Sequence, residues 1–280
     1  MKKMLFTALI VLAGSAMVFA GGSKDTSSSS ETGLSGTYSF GGSTTVAPIA
    51  EGIAEQMMEE NDGLTISYEG VGSSSGMKGV LAGTFTLGGA SRDLKQSELD
   101  AGLVPVVIAK DGISVVVNGN VTVANLSLTQ LADIYSGKIN NWSEVGGANA
   151  DIVVCNRDES SGTRGAFQEI VLGKVDYRKD AQICKENGDV AQTVASTPNA
   201  IGYVGLGFVE TVINGGGKAL MIDGVAPSID TVVDGSYKVS RGLNVATMGE
   251  ATGLEKAFID YCLSPKGQAI VEDAGFIALN

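Results

Sequence analysis

Strand-like and helix-like patterns alternate along the chain from residue 37 onward. Residues 47–61 repeat their apolar positions with the 3.6-residue period of a helix, whereas residues 64–70 alternate apolar and polar positions as a half-buried strand does. The first half of the chain is predicted to contain strand 38–40, helix 47–61, strand 64–70, helix 74–83, strand 84–90, helix 95–102 and a β-rich stretch, 104–118, that is interrupted at Asp111-Gly112.

A second set of alternating elements follows the first. It is predicted to contain helix 127–137, strand 150–156, helix 161–173, helix 187–200, strand 201–206 and two C-terminal helices separated at Ser264-Pro265. Ser127 or Thr129 is expected to cap the first of these helices, and Gly137 to end it. Such alternation is typical of an α/β fold with a largely parallel sheet.

The length of the chain favours two lobes. Two α/β sets share roughly 260 residues after the N-terminal segment, which fits two lobes of about 100–150 residues each. The stretches 113–118 and 237–245 are the candidates for the connections between them. Two or more connections make a hinged clamp with a ligand cleft between the lobes.

The first 20 residues have the pattern of a secretory signal peptide. Lys2 and Lys3 precede an apolar run over residues 4–19, and small residues surround the expected cleavage point after Ala20. The run is shorter than the roughly 18 residues that a membrane span needs. Gly21 stands where a lipoprotein would carry its cysteine, so the sequence does not support a lipid anchor. Residues 21–36 are small and polar, which predicts a flexible linker.

Charge and composition exclude several function classes. Without residues 1–20, which contribute two lysines and no acids, 17 basic and 31 acidic residues remain, a net charge of −14. Nucleic acid is therefore not an expected partner. The chain contains no histidine, so neither a Ser-His-Asp triad nor a zinc site of the usual His type is expected.

The three cysteines match no metal motif. Cys155, Cys184 and Cys262 are too few and too unevenly spaced for a disulfide framework. A bridge between Cys155 and Cys184 is one alternative in an oxidising compartment, and three small buried hydrophobic side chains are the other.

Three turns share one chemistry. GGSTT (41–45), VGSSSG (71–76) and DESSGTRG (158–165) each follow a predicted strand and open a predicted helix. The first N–H groups of a helix have no intrahelical partner and carry a partial positive charge. Ser and Thr hydroxyls add donors, and glycine permits close approach. Each turn alone is explained by ordinary capping, but three of them indicate an anion site at the carboxyl ends of the strands.

Arg157 adds a guanidinium to the third turn, and its fork of N–H groups suits an oxyanion. Glu159, two residues further on, is expected to pair with Arg157 and hold it in place. The second turn also matches the Gly-x-Ser-x-Gly pattern of a hydrolase nucleophile on Ser74. A serine hydrolase built on Ser74 or Ser161 is an unlikely alternative, because no histidine can serve as its base.

In seven ordered segments the chain resembles the phosphate-binding proteins of ABC-type phosphate uptake systems, over nearly all of residues 37–280. The segments are GGSTTVAPIAE, YEGVGSSSGMKG, GGASRDLKQSE, LADIYSGKINNW, NRDESSGTRGAF, AIGYVG and LSPKGQAIVEDAGFIAL. The resemblance implies a type II periplasmic-binding-protein fold with mixed, mostly parallel sheets. Lobe 1 is then expected to comprise 37–115 and 241–280, and lobe 2 to comprise 116–240.

The same resemblance implies a function. The two lobes capture inorganic phosphate and deliver it to the membrane permease subunits of an ABC transporter, which an ATPase drives. The protein is then expected in the periplasm or at the outer face of the cytoplasmic membrane, with no catalytic step, no cofactor and no metal. The phosphate-binding residues that the motifs carry over are Thr44, Thr45 (through its backbone), Ser73, Arg157, Ser161, Gly162 and Thr163.

One position departs from the family pattern. Members of the family have an aspartate directly after the serine of the GGAS-like segment, and this carboxylate accepts the proton of hydrogen phosphate. Here Arg92 stands in that position and Asp93 follows it. Either Asp93 reaches the site by a one-residue shift, or Arg92 replaces an acceptor with a donor. The second option leaves another tetrahedral oxyanion, such as sulfate, molybdate or tungstate, as an alternative ligand.

Overall fold

The structure is a computed structural model that describes residues 33–279. The predicted signal peptide and most of the predicted linker lie outside the described residues. No helix within 33–279 is both long enough and apolar enough to cross a membrane. The described part of the chain belongs to one compact unit.

Helices and strands alternate along most of the described chain. The strands are β1 Gly36–Gly42, β2 Leu64–Glu69, β3 Leu87–Ala90, β4 Leu103–Asn118, β5 Asn125–Leu126, β6 Val153–Arg157, β7 Gln182–Cys184, β8 Ala200–Gly205, β9 Gly217–Ala219, β10 Met221–Ile222 and β11 Ser240–Met248. The helices are α1 Ala47–Glu60, α2 Ser73–Leu81, α3 Gln96–Asp100, α4 Leu128–Ser136, α5 Gly162–Phe167, α6 Asn187–Ser196, α7 Val209–Asn214, α8 Ile229–Val233, α9 Gly253–Leu263 and α10 Pro265–Asp273.

Most of the predicted elements are present, and their ends follow local signals. Ser127 accepts a hydrogen bond from the Gln130 amide and caps α4, and Gly137 ends that helix in the left-handed conformation. Helix α5 continues as a π-helical turn over Gln168–Leu172. No pattern in the sequence predicted the short elements β5, β7, β9, β10, α7 and α8, because each is too short to show a period.

The main sheet mixes parallel and antiparallel pairs. Its strands lie in the order β2-β1-β3-β11-β4-β8-β6-β7, and β9 also pairs with β4. The outer pairs β1–β2, β1–β3, β6–β7 and β6–β8 are parallel. Strands β4 and β11 pair antiparallel with each other and with their neighbours β3 and β8. The parallel arrangement that the sequence predicted therefore applies to the outer strands and not to the centre.

The predicted interruption at Asp111-Gly112 is wrong. Strand β4 runs through both residues without a break, because β11 pairs with it there, Ser240 opposite Gly112 and Arg241 opposite Asp111. The carboxylate of Asp111, which disfavours a buried strand by itself, forms an ion pair with Arg241. A partner that is 130 residues away in the chain thus keeps the strand continuous.

Two large hydrophobic cores lie along the sheet. One is built from residues between 40 and 109 and between 243 and 276, and the other from residues between 113 and 239 together with Ile277. Strand β4 contributes to both cores, whereas β11 contributes Leu243 and Val245 to the first core. The lobe boundaries at 115/116 and 240/241 stay a prediction. Cys155, Cys184 and Cys262 are buried, free cysteines.

Candidate functional site

The three turns predicted to bind an anion meet in the structure. The Thr45 hydroxyl at the start of α1 lies 3.2 Å from the Thr163 hydroxyl in α5, although 118 residues separate them. Gly162 packs against the second turn so closely that an added Cβ would lie 2.1 Å from the Ser73 hydroxyl oxygen. Only glycine can occupy that position, because any side chain would displace Ser73.

Arg157 lies at the end of β6 with 2% of its surface exposed. Its Nη2 donates to the Thr44 hydroxyl at 3.1 Å and to the Lys185 carbonyl at 2.8 Å. Its Nε and Nη1 are buried and have no hydrogen-bond partner within residues 33–279. Burial lowers the pKa of the guanidinium, and the nearby Arg241 lowers it further, but an arginine keeps its charge in a protein. These two nitrogens carry three buried cationic N–H groups, which need acceptors.

Asn187, the first residue of α6, is a site residue that the sequence analysis missed. It is completely buried, and its amide nitrogen donates to the hydroxyls of Thr44 at 3.2 Å and Thr45 at 3.0 Å. Its carbonyl oxygen accepts a weaker bond from the Gly205 amide at 3.4 Å. A lone asparagine at the start of a helix reads as an ordinary cap in the sequence, so no local signal marked it.

These contacts fix the direction of the hydroxyl hydrogens. A hydroxyl has one hydrogen to donate and two positions at which it accepts. The Thr44 oxygen accepts from Arg157 and Asn187, so its hydrogen is left to donate. The Thr45 oxygen accepts from Asn187 and Arg241, so its hydrogen is directed at Thr163. Thr163 in turn is left with its own hydrogen to donate.

The second and third turns add further donors. The Ser73 oxygen accepts the Ser91 amide at 3.1 Å, and the Ser161 oxygen accepts the Arg164 amide at 3.2 Å. The Ser161 hydroxyl therefore keeps its hydrogen for another acceptor, and the Ser73 hydroxyl, which also lies 3.5 Å from the Ser91 hydroxyl, does so when Ser91 is the donor of that pair. The backbone of Thr45 was expected to donate as well, but its N–H already donates to the Ser43 hydroxyl at 3.1 Å. From the first turn it is thus the Thr45 side chain, and not its backbone, that faces the other turns.

Arg92 and Asp93 do not join these donors. The Arg92 guanidinium is buried and forms two 2.8 Å bonds with the Glu98 carboxylate. It also donates to the Ser74 hydroxyl at 3.3 Å and lines a cavity of about 170 Å³ beside the site. The Asp93 side chain is exposed. Neither option considered for these two residues therefore places a side chain among the hydroxyls of Thr44, Ser73 and Thr163.

Glu159 does not steady Arg157, contrary to expectation. Its side chain is 94% exposed, and its carboxylate lies 3.9 Å from Arg164. Asp158, for which the sequence indicated no role, shapes the turn instead. Its carboxylate accepts both the amide of Ser160 at 2.7 Å and the Ser160 hydroxyl at 2.5 Å. The sequence analysis assigned a role to Glu159 instead of Asp158, because the charge pattern does not show which carboxylate forms hydrogen bonds within the turn.

The arrangement concentrates donors and one unpaired cation in a buried space. Thr44, Thr163, Ser73 and Ser161 have hydroxyl hydrogens to donate, and Nε and Nη1 of Arg157 add three N–H groups. The first N–H groups of α5 lie at the same place, and none of them has an intrahelical acceptor. No histidine exists in the chain to act as a base. The geometry fits the binding of an anion with several acceptor oxygens and supplies no activated nucleophile.

Comparison with known protein families agrees with this geometry. The model of the PBP superfamily domain matches residues 27–266. The phosphate-binding protein PstS of Bacillus subtilis is 35% identical over 282 residues, which cover 98% of this chain and 92% of that protein. PstS of Borreliella burgdorferi is 32% identical over 249 residues, which cover 86% of this chain and 89% of that protein.

Solved structures show the same similarity. A Clostridium perfringens protein, described as a phosphate ABC transporter substrate-binding protein and solved with bound phosphate, superposes with a TM-score of 0.83 at 40% identity. The superposition covers 88% of this chain and all of that one. An ABC-type phosphate transport receptor from Vibrio cholerae gives a TM-score of 0.73 at 28% identity, over 87% of this chain. Both superpositions cover most of this chain and therefore include both lobes of the fold.

Proposed function

Because the chain belongs to the PBP superfamily and groups with its phosphate-binding members, we propose that it captures inorganic phosphate between its two lobes and delivers it to an ABC permease. The protein binds its ligand, as the names of its relatives, phosphate-binding proteins, also indicate. The phosphate-binding residues in this proposal are Thr44, Ser73, Arg157, Ser161, Gly162 and Thr163. Thr45, whose N–H and hydroxyl hydrogen already have acceptors in Ser43 and Thr163, contributes to the site through Thr163.

One observation supports the proposal most directly. Arg157 is buried, and its Nε and Nη1 have no hydrogen-bond acceptor within residues 33–279. Burying a charge without a partner costs several kcal/mol of folding free energy. An anionic ligand that accepts the free N–H groups of Arg157 offsets this cost. The surrounding hydroxyls also have hydrogens left to donate, and phosphate has the negative charge and the oxygens to accept them.

The partners follow from the same membership. The permease subunits and ATPase of an ABC phosphate transporter are the proposed recipients, and the relatives' names connect this family with phosphate transport. Work outside the cytoplasm, in the periplasm or at the outer face of the cytoplasmic membrane, fits such a role. The segment that precedes residue 33, with its predicted signal peptide, is the proposed route of export.

Isothermal titration of the purified protein tests the proposal. Phosphate is expected to bind one to one, and arsenate, which has the same shape and charge, to compete with it. Sulfate is expected to bind more weakly, because the related proteins are named for phosphate. If phosphate releases no heat and fails to raise the melting temperature, the proposal is wrong. If sulfate displaces phosphate at equal concentration, the site is a general oxyanion site.

Arg92 and Asp93 provide the test of selectivity. If Asp93 reaches the site, as one of the two options from the family pattern has it, its carboxylate contacts the phosphate proton, and Asp93→Asn would weaken phosphate binding far more than sulfate binding. The exposed position of Asp93 leads us to expect instead that both affinities stay within a factor of two. Titration of the variant with each anion decides between the two expectations.

A further inference from the structure

A second buried guanidinium lies close to the proposed phosphate site. Arg241 on β11 faces Asp111 on β4, its direct partner in the register of the two strands. Its Nε and Nη2 lie 3.0 and 2.7 Å from one carboxylate oxygen of Asp111. The two side chains are 3% and 0% exposed. The charge of Arg241 is thus balanced inside the protein, whereas that of Arg157 is not.

The remaining N–H groups of Arg241 reach toward the site. Nη1 donates to the Ser91 carbonyl at 2.8 Å, and Nη2 lies 3.4 Å from the Thr45 hydroxyl. Ser91 donates its amide to Ser73, and Thr45 contacts Thr163. One side chain on a central strand therefore touches the partners of two proposed phosphate-binding residues, Ser73 and Thr163.

The other side of the pair connects to the second core. The second carboxylate oxygen of Asp111 accepts the Leu206 amide at 2.9 Å, just beyond β8. Gly205, the last residue of β8, packs so closely that an added Cβ would lie 2.9 Å from Asp111 and 3.0 Å from Thr45. The pair therefore joins β4, β11 and β8 directly beneath the first turn.

We propose that Arg241, held in place by Asp111, is a positioning residue of the phosphate site, one that orients Thr45 and the Ser91 segment without touching the ligand. This inference rests on the proposed function. With Asn187, Arg241 fills the acceptor positions of the Thr45 hydroxyl, so that Thr45 donates to Thr163 and Thr163 donates to phosphate. With Arg241 replaced by an apolar side chain, Thr45 can rotate and accept from Thr163 instead.

A purely structural role for the pair is the competing explanation, and a double substitution separates the two. Replacing a buried ion pair by apolar side chains of similar size is often neutral for stability. Asp111→Leu with Arg241→Met is therefore expected to fold and to melt close to the wild-type temperature without phosphate. Its phosphate dissociation constant is nevertheless expected to be at least tenfold higher by isothermal titration.

Two further variants complete the experiment. Arg241→Lys keeps the charge but cannot form the fork of bonds, so we expect a correctly folded protein with intermediate affinity. Thr45→Val is expected to weaken phosphate binding when it is made in the wild-type protein. In the double variant it should add little, because both changes remove the same hydrogen bond from Thr45 to Thr163.

The outcomes are distinct. A double variant that keeps its melting temperature and binds phosphate with wild-type affinity overturns the positioning role. If the double variant does not fold, Arg241→Lys decides, and wild-type affinity in that folded variant overturns it equally. If the wild-type protein itself binds no phosphate, the proposed function fails, and that result is separate from the role of Arg241.

Discussion

Two buried arginines, each beside a serine-rich turn, differ in one respect. Arg157 is 2% exposed and has no carboxylate partner in any ion pair of the described chain. Arg92 is 5% exposed and forms two bonds with Glu98. In the sequence both stand where an oxyanion contact is plausible. In the structure only Arg157 has charge and N–H groups left for a ligand.

The comparison shows how an anion site is recognised in such a fold. A guanidinium whose N–H groups already donate to a carboxylate has less charge and fewer donors left for phosphate. A guanidinium whose neighbours are hydroxyls and a carbonyl keeps its full charge for an anion that arrives later. The incomplete set of partners around Arg157, more than the presence of an arginine, identifies the site.

The largest expected effect belongs to Arg157→Met. Loss of two charge-assisted hydrogen bonds, at about 2 kcal/mol each, should weaken phosphate binding by roughly 1,000-fold. The melting temperature without phosphate should stay the same or rise, because the change removes an unpaired buried charge. Titration and thermal unfolding measure the two effects, and tight phosphate binding by the folded variant would remove Arg157 from the site.

Arg92→Met is the matched control, and its effect should fall on stability. It leaves the Glu98 carboxylate buried without its partner, at a cost of roughly 3 kcal/mol in the free energy of unfolding. Phosphate affinity should change by less than about threefold, well below the roughly thirtyfold that one charge-assisted bond of about 2 kcal/mol represents. Denaturant unfolding and titration check both numbers. A large loss of affinity at unchanged stability would reverse the roles of the two arginines.

Gly72→Ala tests how closely the second turn must pack against the third turn. Gly72 has φ of 85° and ψ of 151°, and an added Cβ would lie 2.2 Å from the Ser160 hydroxyl. The same segments are joined by a bond from the Ser74 amide to the Ser160 carbonyl at 2.9 Å. Strain of about 1–2 kcal/mol should weaken phosphate binding roughly tenfold. Affinity equal to that of wild type would show that the two turns need not meet so closely.

The Arg92–Glu98 pair also predicts a pH dependence. Burial raises the pKa of Glu98, but the hydrogen bonds and charge of Arg92 outweigh it and lower the pKa below its ordinary 4.5. The pair therefore contributes stability above that ordinary value, and the contribution is lost as the pH falls through the lowered pKa. Unfolding of wild type and Glu98→Gln at several pH values should show a difference at pH 7 that disappears in strong acid. A difference that grows in acid contradicts the assignment.

The smallest effect is expected for Glu159→Gln. The side chain is 94% exposed and its contact with Arg164 is 3.9 Å long, and such surface pairs contribute little. Phosphate affinity and melting temperature should both stay within experimental error of wild type. A clear loss of affinity would restore the contact with Arg157 that the sequence predicted.

Much of the fold was predictable because its signals are local. Periodicity located α1, α4 and β2, and capping residues marked where helices begin. The three hydroxyl-rich turns and Arg157 were predicted from a pattern that repeats after three strands. The antiparallel centre of the sheet was not predictable, because the pairing of β4 with β11 joins segments that lie 130 residues apart at Asp111 and Arg241.

By itself, the sequence determined which groups are available: hydroxyls and glycines at three helix starts, an arginine after a core strand, and no histidine. The tertiary structure decided which of these groups remain unsatisfied. Glu98 forms an ion pair with Arg92, and Asp111 forms one with Arg241. Asn187 donates to the hydroxyls of Thr44 and Thr45 and so orients their hydrogens. Hydrogen bonds act only at contact distance, and several of the partners come from distant parts of the chain. Only folding determines which charge is left for phosphate.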